Sequence, residues 1–208
     1  MVRHRFLGLL LLLVTGAAMA TEEPAYTVLE QSGDFELRRY DPMIVAETIV
    51  SGSMGDASRS GFRRIADYIF GNNTVRNGDD GKISMTAPVT MAAQSEEISM
   101  TAPVSMERSA GKWRMHFVMP SEYTLDALPR PNNPAVTLRE IPASHYAVIR
   151  FSGLTGENKV AAKTAELKAW LEERGIEPLG NPELARYNPP WTLPFLRRNE
   201  VMIPYRQG

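Results

Sequence analysis

The chain reads as an α+β fold of antiparallel strands carrying two amphipathic helices, arranged as a pseudo-two-fold repeat. Three observations predict this. A strand–turn–strand–helix unit recurs at a spacing of 101 residues, a shorter pair of alternating segments recurs at a spacing of 15, and each helical segment follows two strands that need no crossover helix between them.

The long repeat lays Phe35-Glu36-Leu37-Arg38 over Val136-Thr137-Leu138-Arg139, and Ala46, Ser51 and Gly52 over Ala147, Ser152 and Gly153, without a gap. Each copy continues through a proline turn (Asp41-Pro42; Pro142), a second extended run (Met43 to Val50; His145 to Phe151) and a Ser-Gly break into a helix. The first helix is expected from a cap at Asp56, with Phe62, Ile65, Ala66 and Ile69 on its buried face and a stop at Gly71. The second is expected from about Glu157 to Arg174, with Val160, Leu167, Trp170 and Leu171 facing the core and Gly175 as its stop.

In the short repeat, Ile83-Ser84-Met85-Thr86-Ala87-Pro88-Val89 returns as Ile98-Ser99-Met100-Thr101-Ala102-Pro103-Val104. Apolar and polar positions alternate through both copies and on to Met91 and Met106, which predicts two half-buried strands joined by a hairpin at 92–96, with Pro88 and Pro103 at an edge or bulge. Trp113, Met115, Phe117 and Met119 predict a third strand whose opposite face, including His116, points outward. Met85, Met91, Met100, Met106, Met115 and Met119 then share one face. Thioether sulfur suits Cu(I), but the Ile and Val among them favour a packed core over a metal site.

Residues 1–20 have the composition of a secretory signal: Arg3 and Arg5, the apolar run Phe6 to Val14, and Ala18-Met19-Ala20 before a polar stretch. The run is shorter than the ~20 residues that span a bilayer. Cleavage is expected after Ala20 and the mature chain, a single domain over 21–208 with repeat halves at about 26–120 and 121–208, is expected in the periplasm or secreted. No cysteine occurs, which rules out disulfides and thiolate metal sites. Loss of Arg3 and Arg5 leaves 21 basic against 24 acidic side chains, net −3, so nucleic acid is not an expected partner.

Several segments together resemble the SOUL haem-binding family: 82–89 and its echo at 97–104, Phe117-Val118-Met119-Pro120-Ser121, Arg197-Arg198-Asn199-Glu200-Val201, Phe35 to Tyr40 with Pro42, and Ala185 to Pro190. The resemblance covers about residues 26 to 205. It implies a distorted antiparallel β-barrel with pseudo-two-fold symmetry and two helices, similar to bacterial effector-binding domains, and a non-enzymatic role in holding haem or a related tetrapyrrole.

Such a ligand needs a flat apolar slot and cations for its two propionates. Arg59 and Arg63 stand four residues apart on the first helix with Phe62 and Ala66 beside them, and these four are the expected tetrapyrrole-binding surface. Arg39 occupies the position at which one branch of the family carries a histidine proposed to bind iron. A guanidinium has no lone pair to donate, so Arg39 is expected to pair a propionate and not to ligate the metal. No axial ligand follows from the remaining histidines: His116 is expected outside and His145 in a structural role. Three arrangements stay open: haem held by its face and propionates alone, ligation by a methionine or tyrosine, or a natural ligand other than haem.

No nucleophile with a supporting base is apparent, and the Gly-x-Ser-x-Gly and His-Glu-x-x-His patterns are missing. Two alternatives to a haem carrier remain: an effector-binding module for another planar or hydrophobic ligand, and an enzyme acting on tetrapyrroles. Protein partners and stable membrane insertion of the mature chain are not implied.

Overall fold

Period-two alternation of apolar side chains builds one large sheet, and the two helices cover one of its faces. The computed structural model describes residues 21–76 and 95–207. The elements are β1 (Tyr26–Ser32), β2 (Phe35–Tyr40), β3 (Met43–Val50), α1 (Met54–Ile69), β4 (Asn73–Thr74), β5 (Val104–Ser109), β6 (Lys112–Val118), β7 (Arg130–Pro131), β8 (Thr137–Ile141), β9 (Ser144–Phe151), α2 (Glu157–Glu172), β10 (Glu183–Arg186), a 3-10 turn at Pro194–Leu196, and β11 (Asn199–Pro204). The nine-stranded sheet has the order β1-β2-β9-β11-β10-β5-β6-β3-β8, with every pair antiparallel, and curls into a half-barrel open between β1 and β8.

That order contains the pseudo-two-fold axis. Matching β2, β3, β5 and β6 to β8, β9, β10 and β11 turns the series β2-β9-β11-β10 into β8-β3-β6-β5, which is the other half of the sheet read from its far end. The axis therefore passes between β5 and β10, and each copy lends its first strand to the other copy's second: β2 pairs β9, and β8 pairs β3.

On the helix side, Leu37, Ala46, Met106, Met115, Phe117, Ala147, Ile149, Leu184 and Val201 form one core with Ile65, Ile69, Leu167 and Leu171. Gly61 lets α1 sit close to β6: a Cβ there would lie 2.8 Å from the Met115 sulfur. The helices begin and end almost where the sequence predicts. The cap of α1 is Ser53, not Asp56; the Ser53 hydroxyl accepts the Asp56 N–H (3.2 Å) and donates to its carboxylate (2.7 Å), so Asp56 is the third helical residue of a reciprocal cap. Gly71 and Gly175, at φ +107° and +65°, stop the chain in the left-handed region just past each helix.

Four further expectations fail. Residues 98–103 are not strand: proline at 103 has no N–H for a ladder, pairing starts at Val104, and Thr101, Ala102 and Pro103 are all buried while Met100 is exposed. Only Met106 and Met115, cross-strand partners in β5 and β6, and the buried Met119 share the expected face; Met85, Met91 and the first copy of the repeat lie outside the described residues. Phe62 is 41% exposed, because the buried stripe of α1 runs through Ala57, Gly61, Ile65 and Ile69 and leaves Phe62 on its flank. His116 is buried, not exterior.

The reason for the last is that the face turned away from the helices is not bare. Tyr40, Val148, Ala185 and Met202 form a second cluster there, with Tyr26, Met43, Tyr146 and Tyr187 packed on it. Arg38 and Glu200 lie fully inside it in a bidentate pair at 2.8 and 3.0 Å; Glu200 also accepts from the Tyr187 hydroxyl (2.7 Å) and Arg198 (3.0 Å). Burial alone would raise the Glu200 carboxyl, but the hydrogen bonds and charges of Arg38, Tyr187 and Arg198 more than offset it and hold it below the ordinary range. His116 Nε2 is 4.0 Å from Glu183 in the same layer, and burial lowers the imidazole to about 4.

Candidate functional site

The outer flank of α1 and the seam of the sheet beside it enclose a groove of about 730 Å³. One wall is helical. Arg59, Phe62, Arg63 and Ala66 recur three and four residues apart, so 3.6-residue periodicity brings them to a single strip beside the buried stripe. The other wall comes from Val104 at the start of β5, Arg186 at the end of β10 and Asn199 at the start of β11, three strand ends adjacent in the sheet. Phe70 closes the end of α1, and Asn188, Pro190 and Arg197 of the connection before β11 form the rim.

Four guanidinium groups thus converge on an apolar floor. Arg59 is exposed and held by Asp56 at 2.5 Å, which with the Ser53 hydroxyl keeps the Asp56 carboxyl below its ordinary value. Arg63 has no ion pair or hydrogen bond among the described residues. Arg197 is spent on the backbone, donating to the carbonyls of Thr192 (2.8 Å) and Pro190 (2.5 Å).

Arg186 differs from the other three. Its side chain is largely buried, it donates to the Ser58 hydroxyl at 2.7 Å and approaches the Met106 sulfur at 3.6 Å, and no carboxylate meets it among the described residues. Burial pulls its pKa down, the signature of a cation held without a counter-charge. The one carboxylate lining the groove, Asp67, is engaged by Asn72 at 2.5 Å.

Of the five residues that the sequence singles out, the fold brings Arg59, Phe62, Arg63 and Ala66 into this groove and leaves Arg39 out of it. Arg39 lies half-exposed on β2, opposite His145 and 4.0 Å from Asp41. The side chains missing from the sequence reading are Arg186, Arg197, Asn199 and Phe70. Arg186 carried a usable signal: it alternates with Leu184, so a strand through 184–186 puts an arginine on the apolar, helix-facing side.

Two further hollows give the comparison. A groove of about 710 Å³ lies along α2 between Val160 and Lys168 and is the pseudo-symmetry mate of the first, using the start of β10, the end of β5 and the start of β6 in place of their counterparts. It is lined by Met54, Met106 and Trp113, and its lining holds as many acidic residues, Glu157 and Glu183, as cations, Arg108 and Lys168. A cleft of about 640 Å³ beside the N-terminal segment has Glu22, Glu23, Asp41 and Glu140 at its rim and no cation in its lining. Of these three hollows among the described residues, the α1 groove combines an apolar floor with surplus positive charge.

The donor set of this groove suits a flat ligand bearing carboxylates. Guanidinium forks match carboxylate geometry, and Phe62, Phe70, Val104 and Ala66 offer the apolar surface. No histidine, tyrosine, methionine or cysteine is among the residues described as lining it, so nothing in that lining donates to iron.

A family model described as SOUL heme-binding protein matches residues 21–204. No curated protein matches the chain. Among solved structures, the chain is similar to the EcmrR C-terminal domain (11% identity, TM-score 0.58, 88% of this chain and 99% of that one) and to a hydrolase from Listeria innocua (12% identity, TM-score 0.54, 86% and 94%). At these identities the likeness is one of fold.

Proposed function

The chain belongs to the SOUL heme-binding family, and from that premise we propose that it holds haem or a related tetrapyrrole in the α1 groove, without turnover, as an exported carrier or sensor in the periplasm or outside the cell. The observation that carries this reading is Arg186, a part-buried guanidinium with no carboxylate partner among the described residues, lining an apolar groove. A protein tolerates that arrangement where a ligand supplies the missing anion.

In this reading Arg186, Arg59 and Arg63 hold the propionates, and Phe62, Phe70, Val104 and Ala66 meet the ring. Bound iron would supply a strong visible absorption and a site for small ligands. The groove's own side chains bind and orient. They bring no acid–base pair to bear on the ring, which is why binding without chemistry is the better reading than an enzyme acting on tetrapyrroles.

Titration of residues 21–208 with haem tests this directly. The expected result is a Soret band displaced from that of free haem, a spectrum stable over hours, and weaker complexes in Arg59→Ala and Arg63→Ala. Iron-free protoporphyrin should bind within a few-fold of haem, because the groove's lining contributes to the ring and carboxylates and not to the metal. Undiminished affinity in both arginine variants would place the ligand elsewhere.

A second reading, an effector-binding module for another planar anion, is favoured by the same lining, which selects for shape and charge and carries nothing specific to iron. A non-porphyrin planar dicarboxylate that displaces haem from the groove would support it.

A further inference from the structure

The chain between β10 and β11 exposes large apolar side chains in close succession: Trp191 (83% exposed), Leu193 (55%), Phe195 (70%) and Leu196 (62%). Scattered exposed leucines are ordinary, but four such residues in six positions are not. They are not a slack loop either. Arg197 donates to the carbonyls of Pro190 and Thr192, Thr192 N–H donates to Pro189 (3.1 Å), Leu196 N–H to Leu193 (2.9 Å), and Gly153 N–H reaches across to the Pro194 carbonyl (2.9 Å). The last bond ties Gly153 to the knuckle, and the next residue, Leu154, is itself 63% exposed.

The backbone of the knuckle is answered in part from within the protein, while the N–H groups of Trp191, Leu193 and Phe195 have no partner among the described residues, an arrangement for the hydrated interfacial layer and not for the hydrocarbon core. Pro189, Pro190 and Pro194 have no N–H to satisfy, and five carbonyls of the knuckle already accept bonds from within the protein. Thr192 is its one polar side chain between Pro189 and Leu196. A protein partner is usually met by a polar rim offering hydrogen bonds, and the knuckle has almost none to offer. Charge lies beside it: Pro190 and Arg197 belong both to the knuckle and to the groove rim that carries Arg59 and Arg63, with Asp56 and Asp67 as the neighbouring carboxylates.

We propose that the knuckle at 189–196 docks the protein on an anionic phospholipid bilayer, with Trp191, Leu193, Phe195 and Leu196 entering the interfacial layer and Arg59 and Arg63 facing the headgroups. Tryptophan favours that depth, and each arginine near an anionic surface adds to the attraction. Docking in this orientation sets the mouth of the α1 groove at the membrane surface, where a lipophilic ligand is concentrated. The apolar part of the docking does not depend on what the groove binds, and the test is made with the groove empty, so that no propionate competes for Arg59 and Arg63.

Vesicle sedimentation with residues 21–208 and no haem present is the test. The protein is expected to bind phosphatidylglycerol vesicles at low salt and to bind phosphatidylcholine vesicles at least about tenfold more weakly. The double variant Trp191→Ser, Phe195→Ser should lose at least about tenfold in binding to the anionic vesicles while keeping its melting temperature, since both side chains are exposed. Brominated lipid should quench tryptophan emission in the unmodified chain and much less in Trp191→Phe, which keeps the apolar bulk and binds as before.

Three results would overturn the proposal: no binding to anionic vesicles, binding that the double variant leaves unchanged, or a concentration-dependent oligomer, without vesicle binding, that the double variant abolishes. The last would identify a protein–protein contact instead.

Discussion

Replacing Arg186 by methionine separates a ligand-binding arginine from a structural one. In the folded chain the guanidinium is part-buried, bonded to Ser58 at 2.7 Å and to no carboxylate among the described residues, so folding bears its desolvation with little return. Methionine fills a similar volume without the charge, and the apo protein should be as stable as before or more so by about 1 kcal/mol. Ligand binding should move the other way. A charge-assisted hydrogen bond contributes about 1.5–3 kcal/mol, which is roughly a 10- to 150-fold loss of affinity for a dicarboxylate tetrapyrrole. Soret titrations at fixed ionic strength measure the affinity, and thermal melts by circular dichroism measure the stability. The dimethyl ester of the same porphyrin completes a cycle: lacking both carboxylates that Arg186, Arg59 and Arg63 hold, it should bind the unmodified protein more weakly than the free acid binds Arg186→Met, with little further loss when both changes are combined. If Arg186→Met melts as before and binds the free acid undiminished, the argument from the unpaired guanidinium is wrong.

Three other perturbations read the scaffold and the buried layer beneath it. Glu200→Gln strips the charge that faces Arg38, itself 1% exposed, and should cost about 3 kcal/mol in urea denaturation, at the low end for breaking a buried pair because the amide still accepts hydrogen bonds; a loss under about 1 kcal/mol would show the pair to be dispensable. Gly61→Ala places a methyl 2.8 Å from the Met115 sulfur, so overpacking of about 1–3 kcal/mol should outweigh a helix-propensity gain near 1 kcal/mol, and Met115→Ala in the same chain should reverse the overpacking part; a stabilised Gly61→Ala would mean that the helix can shift freely. Burial, then the charge of Glu107, raises the Glu183 carboxyl from 4.5 to about 7. Its contribution to stability is therefore fully present below pH 4.5 and lost as pH rises through 7, by up to about 3 kcal/mol, and Glu183→Gln should abolish that decline. The lowered His116 works in the opposite sense, with stability present above pH 6.5 and lost as pH falls toward 4, so acid sensitivity should survive in the Glu183 variant. Denaturation at pH 5 and pH 8 distinguishes the two.

The fold was legible because its signals are local and repeated. A 101-residue shift aligned β2 with β8 and β3 with β9 before any pairing was known, and those strands occupy symmetry-related places in the sheet. What periodicity could not show is which strands pair: β2 joins β9 and β8 joins β3, exchanges across the axis that a linear repeat does not encode. The alternation through 98–103 misleads for a related reason. Alternation states which way side chains would point in a strand, but a ladder also needs a neighbouring strand; Ile98 and Ala102 donate instead to the carbonyls of Ile69 and Glu22, and Pro103 has no N–H to give. His116 was misplaced by assuming that the face away from the core meets water; the tyrosines and the Arg38–Glu200 pair that cover it come from four strands distant in the chain. The site was half legible. The wall on α1 lies within eight residues and follows from helical spacing, whereas Arg186 and Asn199 join it only because β10 and β11 are neighbours in the sheet.

The pseudo-symmetry also explains why the molecule has one candidate site instead of two. The α1 and α2 grooves are equivalent by construction and nearly equal in volume, about 730 and 710 Å³, so shape does not distinguish them. Charge does. In the α2 groove the lining holds two cations, Arg108 and Lys168, and two acidic residues, Glu157 and Glu183, so it carries no surplus positive charge to draw a dianionic ligand. In the α1 groove Arg63 and Arg186 have no carboxylate partner among the described residues, so the electrostatic cost of an empty groove is already part of the folded state and a ligand's carboxylates relieve it. A duplicated scaffold thus presents two similar hollows, and a few side chains at strand ends decide which one is poised for an anion. On this reasoning, placing a carboxylate beside Arg186 by Ser58→Asp should raise apo stability and weaken tetrapyrrole binding together, because the internal acid would take the place of the ligand's own.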